Sequence, residues 1–362
     1  MEDKLYKYYN SIYSQVEMSK YKNNFIDNNI PFSTQINILN ACYQRCVGCR
    51  KPDWPNIKLK DYIVYDVLNW TKYGRDGHSV VFSGGDPPAH ENFLDFLEYA
   101  HDIGLGTGTL SACLWGKNFD VEKFMKNSTW ISISIDGATE EIYTKCRGVN
   151  TLEKVKDNIK LLQEIKIQYN LDTRIRCNST ISNINVHQMK DIFQLCNELG
   201  IESFFFPIHT WNDLKVQNID RDQVKIYVDE ALKIHQNSKS SVKTNIHVFM
   251  KMMDREQPKS CIISWTHCFV DANGDVTICC RSVGGGNGDN GVYSEDKSLV
   301  YGNLYEDSME KIWNSKRALE IRNKTYNAEY SFCKDCDRYN SVNKNYYNWI
   351  DSRNENKELI FL

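Results

Sequence analysis

Between residues 33 and 208, short apolar runs alternate with stretches of helical spacing. Six runs, at 35–39, 79–82, 107–111, 130–135, 174–181 and 203–208, have the length and residue types of strands. The stretches between them repeat apolar residues every three or four positions. Phe93, Leu94, Leu97 and Ala100 form one set; Val155, Ile159, Leu162 and Ile165 another; Met189, Ile192, Phe193, Cys196 and Leu199 a third. Such spacing puts one apolar stripe on each helix. Gly104 and Gly200 stand just past two of these sets, where a helix stops. Six strand–helix units in series imply a parallel sheet with right-handed crossovers. A partial (β/α)6 TIM-like barrel meets that pattern, and so does an open doubly wound sheet.

The pattern changes after residue 255. The run from Cys268 to Cys280 reads as a β-hairpin turning at Asn273-Gly274. A glycine-rich loop, Gly284-Gly285-Gly286-Asn287-Gly288, follows, then one amphipathic helix over 308–321 and the pair Cys333-x2-Cys336. Residues 1–32 are polar, rich in Tyr, Asn and Lys, and read as a helical segment. The expected organisation is therefore 1–32, a core at 33–255, a cysteine-rich extension at 256–345 and a tail at 346–362.

Composition narrows the class. Apolar residues make up 41 % and aromatic residues 12 %, enough for a sizeable core and unlike a disordered chain. A net charge of −3 gives no overall electrostatic case for nucleic acid or an anionic membrane as partner. The first residues are charged and lack the apolar stretch of a signal peptide, and no apolar run reaches the ~18 residues of a membrane span. The expectation is a soluble, cytoplasmic protein. In that setting 13 cysteines are not a secreted disulfide framework, and the clustered ones read as metal ligands.

Cys42, Cys46 and Cys49 form a C-x3-C-x2-C run. Structural zinc takes four protein ligands, and an ordinary [4Fe–4S] cluster likewise takes four cysteines. Three thiolates leave one iron open to a reacting molecule. A chance cluster, or a zinc site completed from elsewhere, remains compatible with the run taken alone.

The run resembles the cluster-binding loop of radical S-adenosylmethionine (SAM) enzymes. Two further segments follow in the order that superfamily requires. Ser83-Gly84-Gly85-Asp86 ends the second strand and resembles the family's GGE motif with Asp for Glu. Ser134 and Asp136, in Ser134-Ile135-Asp136-Gly137, resemble its S-x-D-G strand end, with Tyr143 and Arg147 after it. The resemblance covers about residues 33–340 and implies the partial barrel. It also implies a catalytic [4Fe–4S] cluster on Cys42, Cys46 and Cys49, with SAM on the open iron. Ser83, Gly84, Gly85 and Asp86 would hold the SAM amino group, Ser134 and Asp136 the ribose, and Arg147 the carboxylate, with Asn178 as a further candidate. One residue departs from the pattern. Most relatives carry an aromatic residue before the third cysteine, and here it is Gly48, so Tyr43 or Trp54 becomes the candidate adenine contact.

Cys268, Cys279, Cys333 and Cys336 resemble the SPASM/twitch extension of these enzymes, reinforced by Tyr301-Gly302-Asn303-Leu304 and Ile312-Trp313-Asn314-Ser315. Four thiolates would hold one auxiliary [4Fe–4S] cluster. Cys261 or Cys280 could replace one of them, and a four-cysteine zinc knuckle stays open. His267 and His209 are candidate neighbours of cluster and substrate. Cys113, Cys146, Cys177 and Cys196 read as small core residues, with Cys113 and Cys177 the candidates for hydrogen return to a substrate radical.

The resemblance implies reductive SAM cleavage, hydrogen abstraction from a C–H bond, and a reducing partner such as flavodoxin or ferredoxin. Only about 30 residues precede the first strand, fewer than a peptide-leader domain needs, so the expected reaction is oxidation of a small polar or sugar-like substrate. Peptide modification and epimerisation are the alternatives within the class. A non-catalytic iron–sulfur or zinc protein is the alternative outside it.

Overall fold

The computed structural model describes residues 33–49, 56–73, 78–208, 214–237, 242–253, 261–279 and 297–330, with Tyr346 and Asn348. The 1–32 segment, Trp54, His209, Cys280, the glycine-rich loop, Cys333, Cys336 and nearly all of the tail lie outside them.

Strands β1 (Ser33–Leu39), β2 (Ser79–Gly84), β3 (Gly106–Ser111), β4 (Trp130–Ser134), β5 (Arg174–Ile181) and β6 (Glu202–Pro207) lie within two residues of the expected runs. Between and after them come α1 (Asp61–Tyr73), α2 (Phe93–Asp102), α3 (Val121–Lys126), α4 (Glu140–Arg147), α5 (Leu152–Gln168), α6 (Met189–Glu198) and α7 (Arg221–Asn237). Gly104 and Gly200 take φ of +79° and +67°, ending their helices as the spacing predicts.

The sheet order decides between the two architectures. Strands β6, β5, β4, β3, β2 and β1 are neighbours in strict sequence and all parallel. A doubly wound sheet reverses its order at a switch point; this one never does. It is singly wound and open, the arrangement of a partial barrel.

Alternation along the strands gives the two faces different chemistry. Ile36, Ile38, Val80, Phe82, Ile131 and Ile133 are fully buried. Each such side chain stabilises the fold by roughly 1.5–3 kcal/mol. The alternate residues are mostly polar: Gln35 and Asn37 on β1, Ser83 on β2 after the apolar Val81, Ser132 and Ser134 on β4. Successive side chains point to opposite faces, so the concave face is a polar wall.

The cysteine-rich extension continues this sheet. Strand β7 (His267–Val270) pairs parallel with β1, in the register Ser33↔His267. Strands β8 (Asp275–Thr277) and β9 (Val300–Asn303) follow antiparallel, making nine strands among the described residues. The hairpin turns where expected, with Gly274 at φ +85°. Two short helices, α8 (Phe249–Met253) and α9 (Ile263–Thr266), precede it.

The single helix expected at 308–321 is two, α10 (Met309–Trp313) and α11 (Lys316–Tyr326). The break has a local cause. Ser315 caps α11, its hydroxyl accepting from Ala318 N at 3.1 Å. The pair packs on α1 through Trp70 and Trp313, whose rings meet edge-on at 5.7 Å. Among the described residues no helix is long and apolar enough to cross a membrane.

Candidate active site

One cavity of about 350 Å³ opens at the carboxyl ends of the core strands. Cys42, Cys46, Cys49, Ser83, Gly84, Gly85, Ser134, Asp136 and Arg147 all line it. Of the residues assigned by resemblance to the cluster and SAM, the side chains of Asp86 and Asn178 stand apart.

The cysteine loop leaves β1 and is tied down at both flanks. On one side it hangs on the end of α4. Arg45 N donates to Arg147 O at 2.9 Å, Val47 N to Cys146 O at 3.0 Å, and Gln44 Nε2 to the buried Tyr143 hydroxyl at 2.7 Å. Gly148 ends α4 at φ +71°, and a Cβ there would collide with the Arg45 carbonyl. Within the loop, Cys49 N bonds Cys46 O at 3.0 Å and Gln44 N bonds Cys42 Sγ at 3.4 Å.

On the other side stands Gly84-Gly85-Asp86. Gly85 N donates to Leu39 O at 2.7 Å and Asp86 N to Ala41 O at 2.8 Å. A Cβ on Gly84 or Gly85 would strike those same two carbonyls. The glycines therefore let the end of β2 strap the start of the cysteine loop. The Asp86 carboxylate turns away beneath β3 and is wholly buried. Its Oδ1 accepts from Ser111 Oγ at 2.8 Å and Ala112 N at 3.2 Å. Burial pushes its pKa up to about 7, against the pull of those two bonds.

Arg147 joins the third motif to the first. Its Nη2 pairs with Asp136 Oδ2 at 2.7 Å, and its Nη1 donates to Cys46 Sγ at 3.5 Å. Thr180 N donates to the other Asp136 oxygen at 2.7 Å. Burial raises the Asp136 carboxyl above its usual range, with Arg147 pulling back. Burial also works against the Arg147 cation, but Asp136 and Cys46 outweigh it and the guanidinium stays charged. Burial raises the Cys42 thiol to about 12, helped by Asp86. Cys46 rises too, by burial, with Arg147 opposing.

This donor set fits an iron–sulfur cluster. Three thiols share one cavity with a fixed cation, which offsets the charge they acquire on binding metal. Arg147 Nε is buried with no hydrogen-bond partner among the described residues, leaving a donor beside the same cavity. Among the described residues, no three His, Cys, Asp or Glu side chains are grouped so as to hold a single metal ion.

Several residues here escaped the sequence reading: Gln35, Asn37, Gln44, Cys146, Thr180, Ser182, Ile208 and Leu214 also line the cavity. Gln35 and Asn37 carried a signal, as polar residues in alternate positions of an apolar strand. Cys146 faces the cavity, whereas Cys113 and Cys177, the candidate hydrogen donors, are buried and do not line it. Cys113 carries a positive φ of 60°, and the Cys177 thiol lies against Ser179 Oγ at 3.3 Å and Cys196. Gly48 lines the cavity and Tyr43 is 42 % exposed. Asn178 pairs with Ser134 across β5 and β4 but does not line the cavity.

In the extension, Cys268 lies fully buried on β7 and Cys279 nearly so after β8; Cys261 is half-buried. Burial raises the Cys268 thiol, with Arg322 opposing. His267 stacks near Phe269 with ring centres 6.3 Å apart, and burial lowers its pKa to about 4.

Comparison with known proteins agrees with this geometry. Residues 36–172 match the model of the radical SAM superfamily, and residues 261–337 match SPASM, an iron–sulfur cluster-binding domain. The chain is 31 % identical over 127 residues to an AdoMet-dependent heme synthase of Oleidesulfovibrio alaskensis, a match covering 33 % of this chain and only 30 % of that relative. It is 22 % identical over 269 residues to the PqqA peptide cyclase of Bradyrhizobium diazoefficiens, covering 69 % of this chain and 67 % of the relative. Among solved structures, Streptococcus suis SuiB bound to its precursor peptide SuiA superposes with a TM-score of 0.64 at 14 % identity, over 90 % of this chain and 73 % of SuiB. The anSMEcpe structure with bound AdoMet and the Cp18Cys peptide gives 0.58 at 16 %, over 86 % and 87 %. Matched in series along one singly wound sheet, with the three cysteines at its carboxyl edge, the chain belongs to the radical SAM superfamily and carries a SPASM domain.

Proposed function

We propose that the chain binds SAM at a [4Fe–4S] cluster held by Cys42, Cys46 and Cys49, and directs the resulting radical to a C–H bond of a peptide. The observation that carries this reading is the single cavity in which all three cysteines meet Gly84, Gly85, Ser134 and Arg147. Membership of the superfamily implies the cluster and SAM, and the SPASM domain implies auxiliary iron–sulfur. When bound, the cluster and SAM supply one-electron cleavage of the sulfonium and a deoxyadenosyl radical.

The residues of the chain bind, orient and shield. Gly84 and Gly85 leave backbone room for the SAM amino end, and Ser134 offers a hydroxyl. Arg147 supplies a cation for the thiolates and the SAM carboxylate. Both Asp136 oxygens are engaged, by Arg147 and by Thr180 N. Its role is then to fix the guanidinium rather than to reach the ribose. Ile208, Leu214 and Val47 form an apolar rim that limits water.

A peptide is favoured because the peptide cyclase match spans most of both chains, and SuiB and anSMEcpe share the fold with peptides bound. Oxidation of a small polyhydroxylated substrate is the second reading. The polar wall of Gln35, Asn37 and Ser83 supports it, since those side chains can hold hydroxyls.

Anaerobic reconstitution with iron and sulfide, then SAM and dithionite, tests the first step. Wild type should hold about eight irons for two four-iron clusters and release 5′-deoxyadenosine, while a Cys42→Ala/Cys46→Ala/Cys49→Ala protein should release none. Zinc in place of iron after anaerobic purification would sink the proposal. Product mass then separates the outcomes, oxidation losing two hydrogens and epimerisation none.

A further inference from the structure

The extension holds a buried cation in an aromatic cage. Arg322 on α11 is 1 % exposed. Its guanidinium lies 4.3 Å from the Trp313 ring centre, 4.9 Å from Trp265 and 5.7 Å from Tyr301. Its Nη1 donates to Trp313 O at 3.0 Å, which sets the plane of the group. Two of these aromatic residues sit on elements adjoining those that carry the thiols. Trp265 sits on α9, which runs straight into β7 and Cys268. Tyr301 sits on β9, paired with β8, which ends just before Cys279.

Tyr301 adds the second observation. Its ring is 2 % exposed and its hydroxyl is buried with no hydrogen-bond partner among the described residues. A buried hydroxyl left unpaired is costly to the fold. The groups that act on it electrostatically include Arg322, Cys268 and Cys279. A buried donor without an acceptor, on a ring 5.7 Å from a cation and on the strand paired with the one that leads to Cys279, is matched to an anionic sulfur.

We infer that Arg322 and Tyr301 raise the reduction potential of an auxiliary iron–sulfur centre that Cys268 and Cys279 help to hold. The inference rests on the proposed ligand role of those two cysteines. Reduction of such a centre adds one electron and no proton, making it one charge more negative. A fixed cation nearby stabilises the reduced form more than the oxidised one, and most where water cannot screen it. An O–H donated to a cluster sulfur acts in the same direction, since net charge and hydrogen bonds to sulfur are among the determinants of these potentials. The cage of Trp265, Tyr301 and Trp313 keeps the cation dry. The centre is thereby poised to take an electron rather than to give one.

The test uses the full chain with Cys42, Cys46 and Cys49 replaced by Ala, reconstituted anaerobically, so that the auxiliary centre is the remaining cluster. An EPR-monitored redox titration reads its midpoint. Arg322→Met in that background should lower the midpoint by at least one decade in the oxidised-to-reduced ratio at fixed poise, 59 mV for one electron. Tyr301→Phe should lower it by less, and Arg322→Lys should restore most of the loss. Should Arg322→Met lose its iron, Tyr301→Phe decides. Iron bound at wild-type level with an unmoved midpoint in Tyr301→Phe and in any Arg322 variant that keeps its iron would overturn the inference alone. No iron in the triple-alanine protein would overturn the ligand reading, and the inference with it.

Discussion

Asn37 Nδ2 donates to Asp271 Oδ1 at 3.1 Å, joining residues 234 positions apart. The bond links the first core strand to the SPASM hairpin, and it orients a chain of side chains. A carboxylate only accepts, so Asn37 must present its amide nitrogen to Asp271 and its oxygen to Ser83. Ser83 Oγ donates to that oxygen at 2.5 Å and receives Gln35 Nε2 at 2.8 Å. Gln35, Asn37 and Ser83 all line the cavity, so the hairpin sets the polarity of its wall. Asp271→Ala should leave the buried Asn37 amide unpaired and cost about 1–3 kcal/mol. Asp271→Asn, which keeps an acceptor, should cost less. Urea denaturation of both variants checks this, and equal losses would show that the bond contributes little.

The pair of Arg147 with Asp136 should behave as a buried ion pair does. Both side chains are about one-tenth exposed, at 12 % and 10 %. Removing one partner strands the other's charge, at about 3–5 kcal/mol, whereas replacing both is often close to neutral. Asp136→Asn should therefore destabilise the cluster-free protein more than Asp136→Asn/Arg147→Met does. Comparing the two unfolding free energies decides the matter. A double variant weaker than the single would mean that Arg147 stabilises the cysteine loop by contacts independent of Asp136.

Much of this was legible in the sequence, for identifiable reasons. The six core strands are short apolar runs cut off by polar and glycine punctuation, and period-2 patterning survives any tertiary context that buries one face. The cysteine triplet, Gly84-Gly85 and Arg147 could be placed at one sheet edge because each follows a strand in a parallel series. Other features depend on contacts that spacing does not encode. That Asp86 turns under β3 depends on Ser111, and that Gly148 must be glycine depends on Arg45, some hundred residues earlier in the chain. The helix expected at 308–321 has continuous apolar spacing, and only the cap made by Ser315 breaks it. Gln35 and Asn37 were visible as polar residues in a strand, but the face they occupy emerges only when the sheet curves.

Gly148 gives a prediction about the cluster rather than the fold. Its φ of +71° is a conformation that side chains rarely adopt, and a Cβ would press on the Arg45 carbonyl. Arg45 lies inside the cysteine triplet, so the strain falls on the loop. Gly148→Ala should lower iron incorporation at the first site by half or more after reconstitution, while a glycine distant from the loop, such as Gly200→Ala, should not. Iron analysis in a background lacking Cys268 and Cys279 isolates that site. Full iron content in Gly148→Ala would show that the loop can yield.

Asp86 gives a pH dependence whose sign is fixed by its environment. Burial lifts its pKa from the usual 3.8 to about 7 in the folded chain. The folded state thus holds this proton more tightly than the unfolded state. Its contribution to stability is fully present below about pH 4 and is lost as the pH rises through about 7. Each tenfold gain in proton affinity on folding is worth about 1.4 kcal/mol, so the loss is on the order of 4 kcal/mol at most. Asp86→Asn keeps an acceptor oxygen for Ser111 Oγ and Ala112 N and has no proton to lose. Between pH 5 and pH 8 the cluster-free variant should gain on wild type by roughly 2–3 kcal/mol, read as the difference of unfolding free energies in urea under reducing, anaerobic conditions. Other groups titrate equally in both proteins and cancel in that difference. Parallel curves would mean that Asp86 is ionised throughout, held so by Ser111 and Ala112 against its burial.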